Sequence, residues 1–201
     1  TEYGIPPQKV TVAADMAWGL DPVSPAFGRR LLSGLGVDPA ATLIGVNVNI
    51  EEFVREAQPA ILTALAQALD EITERHAAHV VFVCNEIRDG PTYDLAASRE
   101  VIACMRHPER ATIVPNTYWL PQELRSVVSC CSFTISTRYH ACIFSALQGV
   151  PFLAIERSDK VSDLCFDIEW PYSVPLTEVT AGRLTAEFSD AWPRREELRT
   201  L

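Results

Sequence analysis

Apolar residues in this chain fall into two alternating kinds of run. Short, nearly continuous ones at 43–50, 80–84, 112–114, 133–136 and 152–155 have the length and composition of strands buried on both faces. Between them, apolar positions recur at the i, i+3, i+4, i+7 spacing of a helix face. At 59–76, Ile61, Leu62, Leu65, Leu69 and Ile72 share one face, with Pro59 suited to the first turn. Residues 95–105 and 121–128 are also helical, the latter with a proline at its start. Tyr139, Cys142, Ile143, Ala146 and Leu147 make one stripe; Gly149 ends that helix and Pro151 forbids its continuation. Ser158 or Asp159 is placed to cap the next helix.

Toward the N-terminus, the run at 10–14 reads as a strand, 21–25 as a loop, and 27–35 as a short helix ended by Gly36. A closing helix spans 180–192, which 196–201 extends or frays from. Strands alternating with helices give an α/β fold, a Rossmann-like parallel sheet with helices on both faces and right-handed crossovers. The reading is of an N-terminal segment and linker at 1–30 and one Rossmann-like domain at 31–201. Neither a Gly-x-Gly-x-x-Gly fingerprint nor a P-loop is present, so ordinary dinucleotide or nucleoside-triphosphate binding has no support.

Composition narrows the classes further. With 48% hydrophobic residues and a mean hydropathy of +0.07, the chain can bury a core. A net charge of −9 argues against a nucleic-acid surface. No apolar run approaches the ~20 residues of a membrane helix. Of the six cysteines, Cys84, Cys104, Cys130, Cys131, Cys142 and Cys165, none forms a C-x-x-C pair, and most sit in apolar contexts. They read as buried, reduced thiols, which fits a cytoplasmic protein. His76 and His79 lack a second ligand pair at metal spacing, so they read as residues flanking a helix C-terminus, not a zinc site.

The chemistry concentrates at 131–165. In an open α/β sheet, ligands bind beyond the carboxyl ends of strands, where helix N-termini point free N–H groups. The turn after the strand at 133–136 holds Thr137, Arg138, Tyr139 and His140, with Arg138 and His140 off the apolar stripe. A cation there opposes the helix dipole, at about 0.3–1 kcal/mol, unless an anion arrives. Lys160 repeats the arrangement at the next helix start, in a chain whose only lysines are Lys9 and Lys160. Two adjacent βα corners with cations imply one anion pocket.

The run Ser136-Thr137-Arg138-Tyr139-His140-Ala141, the Gly149-Val150-Pro151 that follows and Ser158-Asp159-Lys160-Val161 resemble the C-terminal signature of the polysaccharide pyruvyl transferase family. Tyr118 to Leu124 and Ala14 to Trp18 resemble two further family segments. The resemblance implies the C-terminal lobe of a B-type glycosyltransferase fold, without the N-terminal lobe that would help bind a saccharide acceptor. It implies transfer from phosphoenolpyruvate, as co-substrate, to two sugar hydroxyls, forming a cyclic pyruvate ketal in cell-surface polysaccharide synthesis, with no further cofactor and no metal. Arg138 would clamp phosphate or carboxylate, His140 would bind the anion and move a proton, and Lys160 would add charge near the leaving phosphate. Ser136, Thr137 and Asn49 are assigned to the same anion site.

Asn49 stands where the family strand commonly ends in arginine, so the pocket has one cation fewer; Asn49 or Asn47 offers a hydrogen bond instead, and Arg88 is a candidate replacement. Glu86, Glu156 and Asp94, near strand ends, read as structural. Tyr118 and Trp119 are available for stacking or packing. Two other functions stay open: a lobe binding a nucleotide sugar at the same helix starts, and a non-catalytic binding module retaining the fold.

Overall fold

Six strands form one parallel sheet in the order β3-β2-β1-β4-β5-β6: β1 (Leu43–Asn47), β2 (His79–Phe82), β3 (Ala111–Ile113), β4 (Phe133–Ser136), β5 (Phe152–Glu156) and β6 (Ser173–Pro175). The computed structural model describes residues 4, 6–11, 13–38, 40–49, 58–88, 90 and 93–200. The strand order is that of a doubly wound sheet, whose switch point lies between β1 and β4. There Asn47 is in register with Ser136, so the carboxyl ends of both strands open on the same edge.

Side-chain alternation along the strands builds a core on each face. Ile44, Val46, Val80, Phe82, Phe133 and Ile135 pack with α2 (Gln58–His76), α3 (Asp94–Cys104) and α7 (Ala181–Ala191). Phe133 meets Phe188 of α7 edge-on at 4.9 Å. On the other face, Leu43, Val81 and Val83 pack with α1 (Ala26–Gly34) and α4 (Pro121–Val128). Beside α4 lies α5 (Tyr139–Leu147), where Thr134 and Ser145 share a buried hydroxyl contact at 2.7 Å. Next come α6 (Asp159–Asp167) and, after α7, a short α8 (Arg195–Leu198).

Two glycines are required by geometry. Gly149 ends α5 at φ +58, a left-handed conformation that side chains resist. Gly28 lets α1 sit on α4: its N–H donates to Ser126 Oγ at 2.9 Å, and a Cβ there would lie 2.2 Å from the Ser126 carbonyl oxygen. Below α1, fully buried Arg125 anchors the N-terminal segment through the Leu20 and Asp21 carbonyls.

The sheet confirms the α/β expectation and corrects several element limits. Residues 10, 11, 13 and 14 are not a strand but irregular backbone, and Val12 lies outside the described residues. The described residues of this stretch are exposed, Val10 by 52%, and none of them belongs to the sheet. β1 stops at Asn47, and Ile50 lies outside the described residues. The closing helix breaks at Trp192–Arg194, where Pro193 cannot donate to the ladder, and Leu201 is outside the described residues. β6, missed in the sequence, is a three-residue edge strand that accommodates Pro175. His76 ends α2 and packs on Phe188 and Trp192, but His79 opens β2 instead of flanking the helix, its ring 2.9 Å from Thr112 Oγ1.

Gly28→Ala should cost about 1–3 kcal/mol or more through overpacking. Gly34→Ala, with nothing within 4 Å of its added Cβ, should be neutral or stabilising, and urea midpoints for the two variants check this. Burial, joined at His76 by the Arg75 charge, lowers both the His76 and His79 pKa values from 6.5. The unfolded chain therefore binds protons first, so stability present above pH 6.5 is lost as pH falls below it. Replacing both histidines by glutamine should flatten that decline in denaturant midpoint; an unchanged slope would contradict the assignment.

Candidate functional site

The β4–α5 corner is built from hydroxyls that return to the backbone. Thr137 N–H extends the ladder to the Asn47 carbonyl at 3.0 Å. Its Oγ1 accepts from Asn49 N–H at 2.9 Å and donates to the Asn49 carbonyl at 3.2 Å. Ser136 Oγ accepts from Arg138 N–H at 3.0 Å and donates to the Arg138 carbonyl at 3.2 Å. These bonds hold Arg138 in extended backbone at the position preceding α5.

Asp94 lies fully buried at the start of α3, beneath this corner. Its Oδ2 accepts from Asn85 N–H at 2.8 Å and Asn47 Nδ2 at 3.2 Å. Its Oδ1 accepts from Asn49 Nδ2 at 2.9 Å and from Arg138 Nε and Nη2 at 2.9 and 2.7 Å. A carboxylate taken out of water needs this many donors. Burial first, then the Asp94 charge, push the neighbouring Cys84 thiol up to about 12, so it stays protonated.

Above, Arg138, Tyr139 and His140 from the β4–α5 corner, and Arg157, Ser158 and Lys160 from the β5–α6 corner, line one cleft of ≈750 Å³. Its other walls include Asp15 and Trp18 of the N-terminal segment and Asp163 and Asp167 of α6. Neither α5 nor α6 has a side-chain cap at its N-terminus, although Val161 N–H of α6 donates to the Ser158 carbonyl at 2.9 Å. His140 is 57% exposed, with Nε2 3.6 Å from Asp15 Oδ2. Burial, then the Asp15 and Asp167 charges, raise the Tyr139 pKa, which keeps its phenol a donor.

The structure thus brings Arg138, His140 and Lys160 to one cleft. Ser136, Thr137 and Asn49 do not line it; they are buried beneath, in the bonds just described. Arg88 is elsewhere: its 66% exposed side chain pairs with Glu86 at 2.6 Å, holding that carboxyl down at about 2, and lies over Tyr93. Trp119 packs, with Nε1 donating to the Pro115 carbonyl at 2.8 Å and its ring edge-on to Phe27; Tyr118 is 73% exposed. Glu156 Oε1 accepts from Ser173 Oγ at the β5–β6 edge. The sequence reading overlooked Arg157, although it follows β5 at the strand-end position that drew attention to Arg138. Among the described residues no group of three or more His, Cys, Asp and Glu is placed to hold a metal ion, and no helix is long and apolar enough to cross a membrane.

The fold resembles one lobe of B-type glycosyltransferases. Escherichia coli ADP-heptose heptosyltransferase II superposes with a TM-score of 0.61 at 13% identity, over 87% of this chain and 53% of that one. A family 9 glycosyltransferase from Veillonella parvula gives 0.57 at 16% identity, over 96% and 57%. A putative UDP-N-acetylglucosamine 2-epimerase from Listeria monocytogenes also gives 0.57 at 16%, over 85% and 40%. The chain therefore spans roughly half the length of these structures. No curated protein matches the sequence. The polysaccharide pyruvyl transferase family model matches residues 1–159, and the chain belongs to that family.

Asp94 and Arg138 should be strongly coupled. In a double-mutant cycle of Asp94→Asn and Arg138→Met, the coupling energy is expected at about 1–3 kcal/mol. Additive single effects would show that the pair is not a unit.

Proposed function

We propose that this chain is the donor-binding part of a transferase that converts two saccharide hydroxyls and phosphoenolpyruvate into a cyclic pyruvate ketal and phosphate. The observation that carries the reading is the convergence of Arg138, His140 and Lys160 on one cleft at two uncapped helix starts, in a member of this family. A small phospho-acid needs convergent cations and N–H donors, and this edge supplies both.

In the proposed reaction both hydroxyl oxygens bond to C2 of phosphoenolpyruvate, and the C2–O bond to phosphate breaks. One hydroxyl proton ends on C3, turning methylene into methyl, and the other leaves on phosphate. Arg138 and Lys160 bind the acid groups and stabilise charge on the departing phosphate. His140 carries the proton. Asn49, Ser136 and Thr137 act on the donor through the corner they hold. The saccharide is proposed to reach the cleft from a second lobe, since the chain spans only 53% of the heptosyltransferase.

Thermal-shift and calorimetric titrations of the full chain test this. Phosphoenolpyruvate should stabilise it, while UDP and GDP should not. His140→Ala and Lys160→Ala, both at exposed positions, should each weaken binding about tenfold, the size of one charge-assisted bond. Stabilisation by nucleotides but not by phosphoenolpyruvate would favour a nucleotide-sugar lobe. Silence toward every anion, with Arg138→Ala also silent, would favour a non-catalytic module.

A further inference from the structure

We infer that Asp15 is a positioning residue for His140: it holds the imidazole by Nε2, so that the proton His140 exchanges with a ligand is carried on Nδ1. This role rests on the proposed function and adds to it a residue and an atom.

Asp15 is fixed independently of the ring it faces. It precedes the helical turn Met16–Gly19, where its Oδ1 accepts from Ala17 N–H at 2.8 Å and its carbonyl from Trp18 N–H at 3.0 Å. Ala17 and Trp18 pack against the hydrophobic core. Further along, Arg125 holds the Leu20 and Asp21 carbonyls, and Val23 N–H donates to Gln148 Oε1 at 3.3 Å, just past α5. A segment tied at these points carries its carboxylate to the β4–α5 corner in one orientation.

That orientation leaves one oxygen for His140. Oδ1 is engaged by Ala17, and Oδ2 stands 3.6 Å from His140 Nε2, within the reach of an ion pair and just beyond a hydrogen bond. Bonds to catalytic groups are often this long until a ligand tightens them. Tyr139 meets the imidazole edge-on at 5.3 Å. Among the described residues no other side chain pairs with the ring, although Arg138, Arg157, Lys160, Asp163 and Asp167 line the same cleft. An ionised carboxylate accepts and does not donate, so the ring presents Nε2–H to it. Nδ1 is then the nitrogen with a lone pair to take up and return a proton.

The charge of Asp15 separates this role from ligand binding. A negative group in the wall of a cleft proposed to receive an anion works against binding. Removing that charge should leave the affinity for phosphoenolpyruvate intact or raise it, whereas removing a binding residue lowers it.

Asp15→Asn is close to isosteric. With Oδ1 still accepting from Ala17, its amide nitrogen takes the place of Oδ2 and turns a donor toward Nε2. The test is ¹⁵N NMR of His140 in the full chain at about pH 8.5, well above the ordinary histidine value of about 6.5, where the unprotonated ring nitrogen is the downfield one. Wild type should show the Nε2–H tautomer. Asp15→Asn should reverse it to Nδ1–H, with an unchanged denaturation midpoint and an affinity for phosphoenolpyruvate no weaker than wild type. Asp15→Ala, which also removes the bond to Ala17, should give mixed tautomers and a lower midpoint. A wild-type ring that is Nδ1–H or mixed, an Asp15→Asn tautomer unchanged from wild type, or an Asp15→Asn affinity about tenfold weaker overturns the inference and leaves the proposed function standing. Should both tautomers be as expected while wild type ignores phosphoenolpyruvate, the pairing stands and the proposed function falls, taking the proton's role with it.

Discussion

A buried carboxylate under a sheet edge is a costly feature, and in this molecule it organises the site. Asp94 has no solvent exposure, yet it draws Asn47 and Asn49 from the end of β1, the backbone of Asn85 beyond β2 and the guanidinium of Arg138 beyond β4 to one point. Three neighbouring strand ends are tied together just where a doubly wound sheet leaves a crevice. Removing a partner would leave an uncompensated charge in a dry place, at a large cost in stability. Arg138, which lines the cleft, is thus positioned from below by a network whose other members do not line it.

That network also accounts for Asn49. A neutral amide at the end of the first strand looks like a lost cation when the pocket is imagined as a ring of positive charges. In the structure it donates to Asp94, and the cleft draws its cations from the β4–α5 and β5–α6 corners. Arg157 and Lys160 add positive charge beyond β5, and Asp15 together with Asp163 and Asp167 of α6 line the same cleft.

Most of the sheet was legible because parallel strands covered on both faces are mainly apolar, and β1, β2, β4 and β5 each carry a buried apolar run broken only by one or two polar residues. β6 escaped because only its central Val174 is fully buried, and its pairing to β5 is written in backbone hydrogen bonds, not in side chains. The run at 10–14 misled for the opposite reason: it has a strand's composition, but its described residues are exposed and lie outside the sheet. Arg138, His140 and Lys160 could be grouped from sequence because the strand-end rule places all three. The rule applies equally to Arg157, which was overlooked. Asp94 could not be linked to Arg138 this way, since 44 residues separate them and an acidic residue at a helix start is ordinary.

The central claim, that one cleft across two βα corners receives a small phospho-acid, can be tested directly on the four histidines, His76, His79, His107 and His140. Of these, His140 alone lines the cleft. Imidazole NMR signals followed during a phosphoenolpyruvate titration should show His140 shifting saturably while His76, His79 and His107 stay in place. A titration in which His140 is unmoved, or in which the distant histidines move with it, would contradict the account.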